Sequence, residues 1–400
     1  MASRRNFLST FASSVGVTLA APASVLGAND RIRLGIIGPG DRGQALMREA
    51  LACQGVEFVG LCDVYTRRLE QAKQLAPNAR TYMDYRRLLE DSSIDAVLIA
   101  TPQHLHCEHF TAVMEAGRHC YQEKTMAFTV DHAKRMRAAY EKAGNRIVSI
   151  GHQSCSSGVM QDALALLAGE PMGKITGIHM TMYRNTPHGK PQWARPVYPD
   201  MTPENVLWKS FLGDSPEMEF DANRFMNWRF FWEYSGGNVY ENMCHQIAFW
   251  YKALDLQIPK AATMTGGVYL WKDGREVPDT MCVTLEQPEE MLISWNSGFG
   301  NDYLRATEDV LGTDGTIAKG QQIRWLPQRV NTRDREEKLG RTPTAPQAHM
   351  QNFFDSIRQN KTPNCPFEVG YRSSIACRMA VESYRQQRTI RWDADREELV

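Results

Sequence analysis

Two short stretches of this sequence combine residue types able to move a proton. Glu123-Lys124 follows a short strand-like segment, Arg118–Tyr121, and a lysine at a strand end can hydrogen-bond a substrate hydroxyl. If partly buried, its pKa drops towards working pH and it becomes an acid/base group. The second stretch is Tyr234–His245, YSGGNVYENMCH, followed by the apolar run QIAFWY. Glu241 and His245 are four residues apart, which on a helix puts a carboxylate and an imidazole on one face. Such a pair can orient a hydroxyl and relay its proton, whereas the plainer reading is a buried histidine satisfied by a glutamate. His104, His106 and His109 form a third group, but no cysteine or carboxylate set with ligand spacing accompanies them, so no metal site is expected. No GxSxG follows a strand, which argues against a serine hydrolase.

The element that must position this chemistry lies upstream, in RIRLGIIGPGDRGQALMREALACQGVEFVGLCD over residues 31–63. Ile32, Leu34, Ile36 and Ile37 make an apolar strand. Gly38, Pro39, Gly40, Asp41, Arg42 and Gly43 follow at once, then a helix over Gln44–Cys53 and a second strand, Val56–Cys62, ending on Asp63. The glycines allow a tight turn, close approach of backbone to a pyrophosphate, and close helix–strand packing. The pyrophosphate would sit at the helix N-terminus, where unpaired N–H groups and the helix dipole favour anions. Asp63 is placed to accept a hydrogen bond from a ribose 2′-OH, which favours NAD. Arg67 and Arg68 are able to accommodate a 2′-phosphate, so the residues leave NADP open.

Strand and helix alternate from residue 31 to about 150. Helices are expected over Arg67–Leu75, Tyr85–Asp91, Cys107–Ala116 and Val130–Ala143, with strands at Ala96–Ala100 and Ile147–Ile150. This alternation implies a parallel sheet with right-handed crossovers. After Gly151 strand-like runs crowd together at Ile175–Tyr183, Ala262–Tyr269, Thr280–Glu286 and Met291–Asn296, as in a largely antiparallel sheet with one covered face. Asn185–Tyr234 reads as a loop rich in Pro, Trp and Arg, either the rim of a carbohydrate pocket or a structural cap.

The 400 residues leave room for two domains behind a leader. Lys+Arg and Asp+Glu balance at 46 each, and no basic block occurs, so nucleic acid is not an expected partner. The nine cysteines show no CxxC pairing and read as mostly buried free thiols. Residues 1–30 carry SRRNFL, a modestly apolar run Phe11–Ala20 and small residues at Ala21-Pro22-Ala23. That is the pattern of a twin-arginine signal, too short in its apolar part for a stable membrane span, and it places the protein in the periplasm or beyond.

Taken together, GIIGPGDRG, Cys62-Asp63, IATPQHLH, QEKT, WRFFWEYSGGNVYENMCH and HMQNFFDSIRQNKTPNCPFEVGYRSS resemble the Gfo/Idh/MocA oxidoreductases, the glucose–fructose oxidoreductase and inositol dehydrogenase group. The resemblance runs from Arg31 to about Arg388. It implies an α/β chain: a Rossmann NAD(P)-binding domain over 31–150, then a substrate-binding α/β domain over 151–400 with an open, largely antiparallel sheet facing the nicotinamide. It implies a cofactor held by Gly38, Gly40, Asp41, Arg42, Gly43, Asp63, Thr101, Pro102, His106, Glu123 and Lys124. Lys124 becomes the catalytic lysine, with His245 and Glu241 at the substrate and Arg184, Trp228 and Arg229 beside it. Two positions depart from the family pattern. Thr125 stands where a proline is usual, loosening the backbone next to the lysine. Glu241 replaces an aspartate and Met243 a glycine, reshaping the pocket. The expected activity is hydride transfer between nicotinamide and a hydroxyl-bearing carbon of a sugar, sugar derivative or cyclitol, in a homo-oligomer. A rival is an NAD-retaining glycosidase-like enzyme that oxidises, eliminates, hydrates and re-reduces. A third reading is a non-enzymatic sensor.

Overall fold

In the computed structural model, residues 31–187, 189–320 and 322–400 are described, and the twin-arginine pattern lies outside them. Ile32–Val400 form one compact unit containing two sheets. The first comprises β1 (Ile32–Ile37), β2 (Val56–Cys62), β3 (Arg80–Tyr82), β4 (Ala96–Ile99), β5 (His119–Gln122) and β6 (Val148–Ile150), all parallel, in the order β3-β2-β1-β4-β5-β6. Ile36 pairs with Leu61 on one side and Leu98 on the other. The strand order therefore reverses at β1/β4, and a crevice opens at the carboxyl ends of those strands, where open α/β sheets bind ligands. Continuous apolar runs such as Ala96-Val97-Leu98-Ile99, buried throughout, fit a sheet covered on both faces.

Helix α1 (Asp41–Leu51) follows β1 with only three residues between them. Gly38 makes that possible with φ +85°, and a Cβ on Gly43 would lie 2.3 Å from the Gly38 carbonyl oxygen. Helix α2 (His106–Glu115) starts one turn before its sequence-based start of Cys107 would suggest, once the 3₁₀ turn Gln103–Leu105 is included.

The second sheet is built from β7 (Ile175–Tyr183), β8 (Ala261–Gly267), β9 (Thr280–Gln287), β10 (Met291–Gly298), β11 (Ala306–Gly312), β12 (Gly315–Lys319), β13 (Ile323–Pro327), β14 (Lys338–Leu339), β15 (Ile390–Asp393) and β16 (Glu398–Leu399). Its order is β14-β13-β12-β11-β7-β10-β9-β8-β15-β16, with only β7–β10 parallel. One face carries alternating buried residues, as Ile293 and Trp295 on β10 and Val283 and Leu285 on β9 show. Against it lie α3 (Cys244–Leu254) and α5 (Phe367–Gln386).

The helix between these two in sequence after the sheet, α4 (Ala348–Gln359), goes elsewhere. Met350, Phe353 and Phe354 bury against Leu34, Leu46 and Leu98, so a segment from the C-terminal half covers one face of the first sheet. Asn185–Tyr234 has its own aromatic cluster, with Phe211, Phe225, Phe231 and Tyr234 packed around Tyr65, two residues beyond Asp63. None of the nine cysteines is in a disulfide, and eight are buried. Among the described residues no helix is long and apolar enough to cross a membrane.

Candidate active site

A cleft of about 1170 Å³ runs along the carboxyl ends of β1, β2 and β4. At one end it is lined by Gly38, Gly40, Asp41, Arg42 and Asp63; Thr101 and Pro102 form its flank; Trp228, Arg229 and Glu241 close the other end. The Asp63 carboxyl is buried, and its Oδ1 accepts the Tyr65 N–H at 2.9 Å. Burial pushes its pKa up, against the pull of Arg68 and two backbone N–H groups. Its Oδ2 has no partner among the described residues. A buried acceptor left bare in a cleft is costly unless a ligand donates to it, and a ribose hydroxyl meets that need. With the open N-terminus of α1 and no Cβ at Gly38, Gly40 or Gly43, these residues fit a dinucleotide.

Of the two arginines read as able to take a 2′-phosphate, Arg67 is committed to Asp200 by two hydrogen bonds of 2.8 and 3.1 Å and stacks on Tyr198. Arg68 lines the cleft and stacks on Phe225. Arg195 reaches Asp41 at 3.1 Å, so the 185–234 segment is pinned to both sides of the cofactor end.

At the opposite end Glu241 is the hub. Its carboxylate accepts from Lys124 Nζ at 2.9 Å and Gln103 Nε2 at 2.7 Å, with Arg229 Nε at 3.3 Å. Burial alone would raise its pKa, but Arg229 and Lys124 hold the carboxyl down at about 2. Lys124 lies behind Glu241, and its Nζ also donates to the Glu241 carbonyl at 3.2 Å. Here the structure corrects the expectation of a lowered lysine pKa. Burial is the largest influence and pushes it down, yet the charge and hydrogen bond of Glu241, with Cys244 and Glu123 beside it, together outweigh burial and the net shift is upward.

The backbone explains how the two meet. Residues Val239–Met243 wind as a π-helix rather than as the α-turn expected from the Glu241/His245 spacing. The Cys244 N–H reaches back to the Val239 carbonyl, which leaves the Tyr240 carbonyl without its α-helical donor, and the carbonyls of Tyr240 and Glu241 both accept from side chains. Thr125 Oγ1 takes the first at 2.7 Å and Lys124 Nζ the second. Thr125 is thus fastened rather than loosened by its hydroxyl, and its own carbonyl lies 2.8 Å from His106 Nδ1. The extra methylene of Glu241 lets its carboxylate reach Lys124 from this wider turn, and Met243 is buried in the core.

Because of the same turn, Glu241 and His245 serve different partners. His245 meets His152, Nδ1 to Nδ1 at 3.4 Å. Burial, then the Lys124 charge and the neighbouring imidazole, push its pKa well below the usual histidine value.

Several residues named from sequence do not line the cleft, Gly43, Lys124 and His245 among them. The His106 ring is fully buried, its Nδ1 2.8 Å from the Thr125 carbonyl and its Nε2 2.9 Å from the Thr101 carbonyl, one of which accepts its single N–H, so it packs between two loops instead of touching a ligand. Glu123 is buried beneath the site, bonded to Arg42 Nε at 2.7 Å and to the Lys124 N–H at 3.0 Å. Arg184 gives a hydrogen bond to Asn242 Oδ1 at 2.9 Å and stands outside the cleft wall. His104 goes to Phe211 O, whereas His109 does line the cleft, its Nδ1 3.1 Å from Thr101 Oγ1. The sequence reading missed Gln103, which also accepts the Gly236 N–H at 3.1 Å, and His152. Both follow strand ends, at β4 and β6, and that position was the available signal.

With this geometry established, similarity to known proteins becomes informative. Residues 32–152 match the model described as "Oxidoreductase family, NAD-binding Rossmann fold", and residues 218–391 match that family's C-terminal alpha/beta domain. The chain belongs to the Gfo/Idh/MocA oxidoreductase family. It is 36% identical over 137 residues to a glycosyl hydrolase family 109 protein of Shewanella baltica, covering 31% of this chain and 30% of that protein. An inositol 2-dehydrogenase of Paracoccus denitrificans is 35% identical over 124 residues, 30% of this chain and 36% of the relative. These matches therefore span only about a third of each relative. Over whole folds, a levoglucosan dehydrogenase in complex with NADH and levoglucosan superposes with TM-score 0.70 at 18% identity, covering 90% of this chain and 99% of the other. The WlbA dehydrogenase of Bordetella pertussis, solved with NADH and UDP-GlcNAcA, gives 0.68 at 21% identity, covering 91% and 100%.

Proposed function

We propose that this protein is an NAD-dependent oxidoreductase acting on a hydroxyl-bearing carbon of a sugar, sugar derivative or cyclitol. The observation that carries the reading is a single cleft joining the glycine loop and Asp63 to Trp228, Arg229 and Glu241, with Lys124 ion-paired to Glu241 at 2.9 Å. When bound, NAD supplies hydride acceptance or donation; the protein supplies alignment and a dry site. Glu241 is ionised at any working pH and accepts a hydrogen bond from a substrate hydroxyl. Arg229 stacks on Trp228, its ring at 4.2 Å, and the indole offers a flat wall to a sugar ring. Lys124, held as an ammonium, gives its proton to the oxygen in the reducing direction. In the oxidising direction it takes the hydroxyl proton as the free amine, so oxidation gains from alkaline pH. The names of the relatives, inositol 2-dehydrogenase and levoglucosan dehydrogenase, support this substrate class.

The test is a cofactor-linked screen of sugars and cyclitols followed through nicotinamide absorbance. Lys124→Ala should abolish turnover while NAD still binds; unchanged turnover would remove Lys124 from the mechanism. The likeness to a glycosyl hydrolase family 109 protein favours a second reading, in which a retained NAD is reduced and reoxidised within one glycoside cleavage. Release of aglycone with no net change in nicotinamide would select it. The Ser3–Leu8 pattern supports export by the twin-arginine route, and exposed Leu292 on β10 of the ten-stranded sheet supports a homo-oligomer. Cell fractionation and light scattering test these two readings.

A further inference from the structure

His152 takes no part in the chemistry outlined above, yet its surroundings are specific. It follows β6 and Gly151, is wholly buried, and its backbone is held at both ends, N–H to the Ile150 carbonyl at 2.7 Å and carbonyl to the Cys155 N–H at 3.0 Å. Its ring stands edge-on to that of His245, centroids 5.2 Å apart and planes at 89°. The only polar contact of its side chain among the described residues is the Nδ1–Nδ1 approach of 3.4 Å. Its Nε2 is buried with no partner among the described residues. His245 is only half-buried and its Nε2 is not sealed from solvent.

We infer that His152 is a positioning residue that locks His245 in the tautomer carrying its hydrogen on Nε2. Two facing Nδ1 atoms hydrogen-bond only if one of them carries the hydrogen, so the rings share one proton between them. If His245 supplied it, the neutral His152 would carry its own hydrogen on Nε2, a buried N–H with no acceptor. If His152 supplies it, the buried Nε2 holds only a lone pair. Stranded buried donors are the rarer and costlier case, so the hydrogen sits on His152 Nδ1. His245 then accepts at Nδ1 and presents Nε2–H outward. A doubly protonated pair is opposed by burial and by the charges facing the rings, Lys124 on both and Arg42 on His245, with His349 the other titratable neighbour. His245 is thereby a hydrogen-bond donor to the substrate oxygen beside Lys124, and Lys124 alone handles the proton. At metal centres, removing the partner that fixes a ligand histidine's tautomer and orientation costs about 10- to 100-fold in metal affinity or activity, and an effect of the same order is expected here.

The tautomer assignment stands without any substrate; only the rate effect rests on the oxidoreductase reading. ¹⁵N NMR of histidine-labelled, NAD-loaded protein reads the tautomer directly, with His245→Gln used to assign the signals. Protonated Nε2 on His245 is the expected result, and a hydrogen on Nδ1 overturns the proposal. For the rate, His152→Leu removes the donor and His152→Asn keeps an N–H near the Nδ1 position. We expect His152→Leu to lower kcat about 10- to 100-fold with NAD affinity and KM little changed, and His152→Asn to restore most of it. Equal loss in both variants, or an unchanged kcat in folded His152→Leu, overturns the role. Should His152→Leu fail to fold, the spectrum of the wild-type protein still decides.

Discussion

Replacing Glu241 by glutamine isolates the charge that governs Lys124. Glutamine matches the volume and keeps hydrogen-bonding capacity towards Gln103 and Lys124, but it leaves Lys124 and Arg229 facing one another without an anion. At 2.9 Å and an effective dielectric of about 20, the Lys124–Glu241 attraction is roughly 6 kcal/mol before desolvation is counted. Removing one partner of a buried pair costs about 3–5 kcal/mol net, and the retained hydrogen bonds put this substitution near the lower figure. About 3 kcal/mol favouring the neutral amine raises its population more than about a hundredfold at any pH well below the lysine pKa. The sign follows from the opposing causes: burial lowers the pKa of Lys124 and Glu241 is the larger counterweight, so without it burial prevails. The assay is the pH dependence of kcat for substrate oxidation, wild type against Glu241→Gln, with urea unfolding alongside. The basic limb should move to lower pH, and stability at neutral pH should fall. A limb that stays in place while kcat drops uniformly would mean that Glu241 only binds substrate, and an upward move would contradict the electrostatic reasoning outright.

Asp63→Asn removes the charge from a buried acceptor in the cofactor cleft; a charged hydrogen bond of about 1.5–3 kcal/mol translates into NAD binding weaker by roughly 10- to 150-fold, measurable by fluorescence titration, and an unchanged Kd would take Asp63 out of the ribose site. The imidazoles of His104, His109 and His152 are pushed down by burial to about 3, and that of His349 to about 4, from an ordinary 6.5. The unfolded chain therefore binds protons that the folded chain refuses. Stability should be fully present above pH 6.5 and fall below it, with a slope approaching about 1.4 kcal/mol per pH unit for each ring. Urea midpoints that stay flat down to pH 5 would refute that. Asp200→Asn and Arg195→Ala each free one side of the 185–234 segment from the cofactor end, and each should speed NADH release by no more than a few-fold, less so at high salt, because these pairs are solvent-exposed. Stopped-flow release rates that match wild type would show that the pairs do not restrain the cofactor.

The parts of the site readable from sequence are those whose geometry is local. Gly38, Gly43 and Asp63 act within a single β-α-β unit, so their spacing already states their tasks. What could not be read depends on contacts far apart in the chain. The upward pKa shift of Lys124 comes chiefly from Glu241, 117 residues away, which no property of the Glu123-Lys124 dipeptide signals. The π-turn over Val239–Met243 is another such case. A four-residue spacing of Glu and His is the mark of an α-helical pair, and only the pull of Lys124 and Thr125 on the carbonyls of Glu241 and Tyr240 reveals why the backbone winds wider.

That same turn gives the two departures from the family pattern a common cause. A threonine can fasten the residue after the lysine only if a carbonyl stands free to accept its hydroxyl, and the π-turn provides Tyr240 O for that. The wider turn also asks for a longer acid to reach Lys124. Thr125 and Glu241 are therefore coupled through one stretch of backbone. Thr125→Pro removes the hydroxyl donor and Glu241→Asp shortens the acid, so each alone should cost activity. If the π-turn is what joins them, the double variant should lose less than the product of the two single losses, because a backbone released by proline is free to tighten around aspartate. Strictly multiplicative kcat losses in that double-mutant cycle would show that the two positions act separately.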